Sequence, residues 1–270
     1  MKKLLLFFLP LAALLAGCEK EGILNSDQST QEHLVASIEI ISSEGKESFD
    51  FKYDKNGRLT DMIESYNGHE YAHNTFIYSD KTIMMTDSYN NNDPIEWKLN
   101  NKGLINEQQI LRSATDTQIY NYYYDDNNLL NDKDDIYKYI DYDGSEHFNR
   151  KSINFHRENG NVVRVDHEYA NVSKHFTFTD YTNKANIDFT VFFHLHYPVE
   201  SRPYPVDFFE LDKNSFISLG NKNLPKSMWN DKTPEEVTSF SYKFNQLGYV
   251  IEINESRKDG STTYKINYAN

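Results

Sequence analysis

The stretch Phe51-Lys52-Tyr53-Asp54-Lys55-Asn56-Gly57-Arg58-Leu59-Thr60-Asp61-Met62 decides how the chain is read. Phe51 and Tyr53 lie two apart, so on a strand they share one face. Asp54 stands where that strand ends, and its side chain is suited to accept backbone N–H bonds in an Asx-turn. Gly57 supplies the left-handed conformation that a tight loop needs. Leu59 then restarts the apolar face. The same grammar returns at Trp97-x-Leu99-Asn100-x-x-Gly103-Leu104-Ile105, at Tyr122-x-Tyr124-Asp125-x-x-Asn128-Leu129-Leu130 and at Tyr242-x-Phe244-Asn245-x-x-Gly248-Tyr249-Val250. A looser copy, Phe155 to Val163, fits only with a one-residue shift. A calcium or sugar loop at each copy fails on composition. The copies carry one Asx and often a Lys, not the clustered carboxylates that calcium wants. The motif is therefore a hairpin instruction, with Asp54, Gly57, Gly103, Asn128 and Gly248 as turn residues.

Outward from these copies the pattern stays two-fold. Phe49, Phe51 and Tyr53 alternate with Asp50, Lys52 and Asp54, and Tyr120, Tyr122 and Tyr124 with Asn121, Tyr123 and Asp125. Such alternation sets one side of a strand in a core and the other toward water. The 20 Tyr and 17 Phe agree with strand propensity. Turn signals such as Asn67-Gly68, Asp143-Gly144, Asn159-Gly160 and Asp259-Gly260 recur every ~8–12 residues, which describes hairpin after hairpin. The expectation is an all-β fold. It is an antiparallel β-meander of roughly 14–18 strands, forming a strongly curved sheet or a closed or nearly closed soluble β-barrel. At most one short helix is expected, near 214–220, where Asn214 caps and Gly220 ends it. The Pro-rich run Pro198 to Pro205 reads as a surface loop.

The N-terminus is not part of this fold. Lys2 and Lys3 precede an apolar run, Leu4 to Leu15, of about 12 residues, too short to span a bilayer. It ends in Leu15-Ala16-Gly17-Cys18, which resembles the bacterial lipobox. That resemblance implies a signal peptide over 1–17, cut before Cys18, whose thiol then carries a lipid. Residues 18–33 follow as a polar, aperiodic tether, and 34–270 as a single antiparallel β domain. Cys18 is the only cysteine, so no internal disulfide, cysteine nucleophile or Cys-based metal site is available. Glu19-Lys20-Glu21 after the Cys looks like the surface-export signal of Bacteroidota lipoproteins. It implies the cell outer membrane as location, lipid-anchored, with the surface-exposed face preferred to the periplasmic one.

Without Lys2 and Lys3 the chain has 26 basic and 41 acidic residues, a net charge of −15. No basic stripe exists to neutralise phosphates, so nucleic acid is excluded as a partner. The partners expected are the membrane through Cys18 and a glycan or envelope protein. No cofactor is expected.

The repeated grammar is similar to the YD repeats of RHS-type shells, with few and divergent copies. The chain as a whole more closely resembles a Bacteroidota lipoprotein family, domain of unknown function 4595, described as having a porin-like fold. The matching features are the lipobox, the hairpin at Tyr53-Asp54, the stretch Leu219 to Pro225, the stretch Tyr242 to Val250 and the closing Thr263 to Tyr268. The resemblance implies topology but no activity and no site residues. A membrane-spanning barrel needs an outward apolar band on strands of ~9–11 residues. Here most candidate strands are 5–9 residues, many carry charges on both faces, and mean hydropathy is −0.74.

Candidate chemistry is sparse. His194-Leu195-His196 sets two imidazoles on one strand face with Asp188 and Thr190, a weak zinc candidate without a third ligand. His69-x-x-x-His73 has helical metal spacing, yet Asn67-Gly68 just before it argues for a loop. His147, His156, His167 and His175 lie on successive hairpins. There is no nucleophile elbow, phosphate loop, zinc-protease motif or dinucleotide fingerprint. The densest signal is aromatic: Tyr120, Tyr122, Tyr124, Tyr137 and Tyr139 form a candidate binding surface, with Tyr as amphipathic core the alternative reading. Three functions are compatible with this. The first is a non-enzymatic, lipid-anchored envelope protein that binds a glycan, peptide or envelope partner. The second is a surface-polysaccharide hydrolase using paired carboxylates or His194 and His196. The third is a periplasm-facing accessory in outer-membrane assembly or lipid handling.

Overall fold

The structure is a computed structural model, and it describes residues 34–88, 94–111, 113–169, 172–182 and 221–269. Among the described residues sixteen strands follow in order: β1 (Val35–Ser42), β2 (Gly45–Tyr53), β3 (Leu59–Tyr66), β4 (His69–Tyr78), β5 (Thr82–Asp87), β6 (Ile95–Leu99), β7 (Ile105–Leu111) and β8 (Thr117–Tyr124). Then come β9 (Leu130–Ile140), β10 (Glu146–Glu158), β11 (Asn161–Tyr169), β12 (Val172–Thr179), β13 (Ser227–Asn230), β14 (Thr233–Phe244), β15 (Val250–Arg257) and β16 (Gly260–Tyr268). Each pairs antiparallel with its sequence neighbours, and β1 pairs with β16, so the sheet is a closed barrel. The expected all-β meander is what forms, and among the described residues there is no helix. The expected turn of helix near 214–220 lies outside the described residues, as do Pro198 to Pro205.

In a closed meander, successive turns alternate between the two barrel ends. The turns β2–β3, β6–β7, β8–β9 and β14–β15, which hold the four copies of the motif, therefore share one end with Leu34 and Ala269. We call it the terminal end. Their geometry repeats. The backbone N–H of Asp54, Asn100, Asp125 and Asn245 bonds the carbonyl of Arg58, Leu104, Leu129 and Tyr249 in turn. Asp54 Oδ1 also accepts from the N–H of Asn56 (2.7 Å) and Arg58 (3.0 Å), and Asn245 Oδ1 from Leu247 (3.0 Å) and Tyr249 (2.9 Å). Gly57, Gly103, Asn128 and Gly248 all have positive φ, from 65° to 89°, the backbone reason for Gly or Asn there. The looser copy at Phe155 differs because its turn is the two-residue Asn159-Gly160, with φ of 52° and 80°. The one-residue shift is a change of turn type.

A second device recurs at this end and was not legible as a motif. A tyrosine at the close of one strand donates its hydroxyl to a carbonyl at the start of the strand before. Tyr53 bonds Val35 (2.8 Å), Tyr78 bonds Leu59 (2.7 Å), Tyr124 bonds Ile105 (2.6 Å), Tyr181 bonds Val162 (2.5 Å) and Tyr268 bonds Val250 (2.7 Å). Tyr242 does the same to Pro225, and Arg157 replaces the tyrosine in β10, bonding Leu130 at 2.6 Å. Only β5–β6 lacks the lock among the described hairpins, because Leu99 holds its position. These locks use six of the 20 tyrosines.

A round barrel of sixteen strands leaves an aqueous channel. Here Trp97, Phe49, Ile38, Ile83 and Ile253 are completely buried within one contiguous core. The inside is filled at the terminal end. Toward the other end the inward positions turn polar. From the terminal end they read Phe51, Phe49, Glu47 in β2; Leu59, Met62, Glu64 in β3; Ile83, Met85, Asp87 in β5; and Ile253, Glu255, Arg257 in β15. We call this polar end the mouth. Outward positions are largely polar or charged, so the apolar band of a membrane barrel is turned inside.

Candidate functional site

The β9–β10 hairpin stands above its neighbours at the mouth. Its strands have 11 and 13 residues, longer than the 5–9 expected from sequence. The β8–β9 ladder stops at Thr117–Lys138 and the β10–β11 ladder at Lys151–Tyr169. Beyond those points no described strand flanks the hairpin on either side. All residues from Ile140 to Arg150 are exposed.

The five singled-out tyrosines share one face of β8 and β9, the inward one, because each is in phase with a buried neighbour. The structure divides them. Tyr120 and Tyr122 are 2% and 4% exposed, packed in the core with the Lys133 ammonium over both rings. They are not a surface, which corrects the binding reading for this pair. Alternation on a wall closed behind by the rest of the barrel puts them inside. Tyr124 is a terminal-end lock. Tyr137 and Tyr139 are different: they continue the inward stripe up the hairpin, Tyr137 beside Gln118 near the end of the β8–β9 ladder and Tyr139 beyond it. They stack on each other (centroids 5.6 Å, planes 26° apart), and Tyr139 stacks on His147 (5.0 Å, 16°). His147 is held by Asp141 at 3.0 Å. Below them Gln118 donates to Asp135 at 2.9 Å, and Lys151 lies 3.6 Å from the same carboxylate. The site is thus a three-ring stack above a floor of amide, carboxylate and ammonium. Rings of this kind suit the apolar faces of sugars or peptide side chains, and the floor supplies donors and acceptors.

Across the mouth lies an acidic group. Tyr71 Oη is 2.7 Å from Glu47 Oε1 and 3.0 Å from Glu64 Oε2, and Asn74 Nδ2 donates to Glu64 Oε1 at 2.7 Å. The Tyr71 hydroxyl thus brings the two carboxyl groups together. Burial pushes Glu64 above the usual carboxylate range, and Glu47 and Asp87 push the same way against the bonds from Tyr71 and Asn74.

The successive histidines separate. His156 Nε2 and His175 Nδ1 both meet Asp166 at 2.7 Å on the outer face, with Arg164 Nε at 2.5 Å. Burial raises Asp166, but the bonds from Arg164, His175 and His156 outweigh it and hold the carboxyl below its ordinary range. This clasp joins β10, β11 and β12. His167 points inward, edge-on to Phe176, and His73 sits on β4, not in a loop, bonded to Asp61 at 3.0 Å. No group of three or more potential ligands that could hold a metal occurs among the described residues. His194 and His196 lie outside the described residues, as does Cys18. Sequence reasoning missed the raised hairpin, although the distance between the turn signals at Asp126 and Asp143 pointed to a long strand.

Two solved structures resemble the barrel. A porin-like protein from Bacteroides uniformis matches with a TM-score of 0.63 at 15% identity, over 87% of this chain and 98% of that one. A porin-like protein from Bacteroides vulgatus matches with a TM-score of 0.56 at 12% identity, over the same shares. At these identities the likeness concerns the fold, and it agrees with the porin-like topology expected from sequence. No protein-family model matches the chain, and no curated protein does either.

Proposed function

We propose that this chain is a lipid-anchored protein of the bacterial outer membrane that binds a glycan, peptide or envelope partner at the mouth of its barrel, without catalysis. The observation that carries the binding reading is the Tyr137–Tyr139–His147 stack on the raised wall. The lipobox at Cys18 supports the anchor, and the acidic run after it supports the cell surface. The porin-like neighbours from Bacteroides support an envelope setting. The filled interior supports a barrel that does not conduct, since an apolar core leaves no aqueous path.

Glycan-array and peptide-array binding, repeated with Tyr137→Ala and Tyr139→Ala, tests the site. Each variant is expected to lose at least about tenfold in affinity, the scale of losing one stacked ring. Binding that survives both would remove the stack from the site. For the anchor, Cys18→Ala is expected to leave the precursor uncut and without lipid. Protease shaving of intact cells reads the face, and full protection would overturn surface display.

A second reading has one specific observation behind it. The Tyr71 bridge holds oxygens of Glu47 and Glu64 within about 6 Å, near the spacing of a retaining glycosidase pair, and burial holds Glu64 above the usual carboxylate range, the direction a general acid needs. Loss of polysaccharide cleavage in Glu64→Gln, with binding intact, would establish it.

A further inference from the structure

The β10 margin that stands free above the barrel is an open strand edge. In the hairpin turn the Asp141 N–H bonds the Ser145 carbonyl, and the Gly144 N–H bonds the Asp141 carbonyl. The antiparallel alternation that follows turns the N–H and C=O of His147 toward Tyr139. Those of Glu146, Phe148 and Arg150 turn the other way, where the β11 ladder has already ended at Tyr169. No described strand pairs with them on that side. Open edges of this kind are templates for another strand, and proteins usually blunt them. This one bears Phe148, 74% exposed, on its outer face, with Ile140 and Tyr142 close by at 42% and 112%.

The sequence of the edge names its occupant. Glu146-His147-Phe148-Asn149-Arg150 is charge-complementary to itself when paired antiparallel about Phe148. Glu146 then faces Arg150 of the second copy, Phe148 faces Phe148, and His147 faces Asn149. The alternation gives Glu146, Phe148 and Arg150 outward main-chain groups and one shared side-chain face, so both the hydrogen bonds and the side chains meet in this register. Any other register sets Phe148 against a charge or displaces Glu146 from Arg150. Arg150 is already forked onto Asp134 through Nε (3.0 Å) and Nη2 (2.7 Å). Its side chain is still 61% exposed, leaving donors for a second carboxylate.

We propose that two copies of this chain associate through β10, edge to edge and antiparallel about a two-fold axis at Phe148, joining two barrels into one continuous sheet. The interface is short, so it is a weak, concentration-dependent contact in solution. Two anchored copies would meet at higher effective concentration on a membrane. The pairing leaves the stacked rings on the inward face. It does not depend on the binding function proposed for them, and the glycan and peptide arrays above do not test it.

The test uses the full chain in detergent. Sedimentation across a concentration series is expected to show a monomer–dimer equilibrium. Phe148→Asp places two like charges on the axis and is expected to weaken the dimer at least about tenfold. Glu146→Arg sets like charges opposite Arg150 and is expected to weaken it as well. Both residues are exposed, and unchanged melting curves confirm that the variants fold. A positive arm uses Phe148→Cys, which is expected to cross-link to its copy under mild oxidation, since facing strand residues lie within disulfide reach. The parent, whose single cysteine is Cys18, and Tyr142→Cys, which lies in the turn off the ladder, should not cross-link comparably. A monomer at every concentration, or equal cross-linking of the two engineered cysteines, overturns the proposal.

Discussion

Tyr124 shows what a single hydroxyl does in this barrel. Its bond to the Ile105 carbonyl ties the close of β8 to the start of β7, beyond the last β7–β8 pair at Glu107–Asn121. Tyr124→Phe removes the donor and leaves the carbonyl without it. The expected cost is about 1 kcal/mol in a urea titration, with ligand binding unchanged. Gly57, at φ 77°, works through its backbone alone. Gly57→Ala is expected to cost about 1 kcal/mol, because a Cβ is disfavoured in that conformation. At Asn128, φ 65°, the change to Gly should be close to neutral. Glu64 carries a pH dependence. Its folded form holds the proton more tightly than the unfolded chain does. Its contribution is thus fully present below the ordinary glutamate range and is lost as pH rises through the raised folded value. Glu64→Gln stays neutral and keeps partners for Asn74 and Tyr71. Thermal melts over about pH 4 to 8 should show the variant gaining on the parent as pH rises.

At the scale of elements, the hairpins divide the work. Those meeting at the terminal end carry the Asx-turns and tyrosine locks, which fix register. The mouth-end turns are more varied, and among the described residues β9–β10 is the hairpin that grows past its neighbours. The outer clasp at Asp166 ties three strands through one carboxylate, so Asp166→Asn is expected to cost about 1–3 kcal/mol at neutral pH. The sign is opposite to that of Glu64. Asp166 has a lowered folded value, so its contribution is present above the ordinary aspartate range and is lost as pH falls through the folded one. The variant should therefore approach the parent in acid, which melts below about pH 4 would show. The strands themselves were legible, because alternation at Phe49–Tyr53 or Tyr120–Tyr124 has a period that belongs to strands alone. The length of β10 was not, since His147 to Arg150 stand free of any apolar layer and their polar character reads as loop.

For the whole molecule, closure is the decisive event. The Ala269 N–H bonds the Leu34 carbonyl at 2.7 Å, and β1 pairs with β16 along Ser37 to Ile41. The two ends of the domain are therefore adjacent. A circular permutant that joins them through a short linker and opens at Asp80–Lys81 is expected to keep the parent's far-UV spectrum and a single unfolding transition. An open sheet would lose the pairing and melt in stages. Closure also sets the polarity of the interior. Apolar residues fill the terminal end, and Glu47, Glu64, Asp87 and Glu255 gather toward the mouth, which is why the candidate site lies there.

The amino-acid sequence by itself determined the strand class, the meander, the turn residues Asp54, Gly57, Gly103, Asn128 and Gly248, and the expectation of a lipid-bearing Cys18. Each of these depends on contacts within a few residues or on a short local pattern. Only the tertiary structure decided that Tyr120 and Tyr122 are core while Tyr137 and Tyr139 are not, that His156 and His175 meet at Asp166 while His167 turns away, and that Glu47 and Glu64 meet at the Tyr71 hydroxyl. Those outcomes depend on which strand lies alongside, on whether the sheet closes behind a face, and on how far one strand outruns its neighbour. A two-residue period records that a side chain changes face at every step; it does not record what stands opposite.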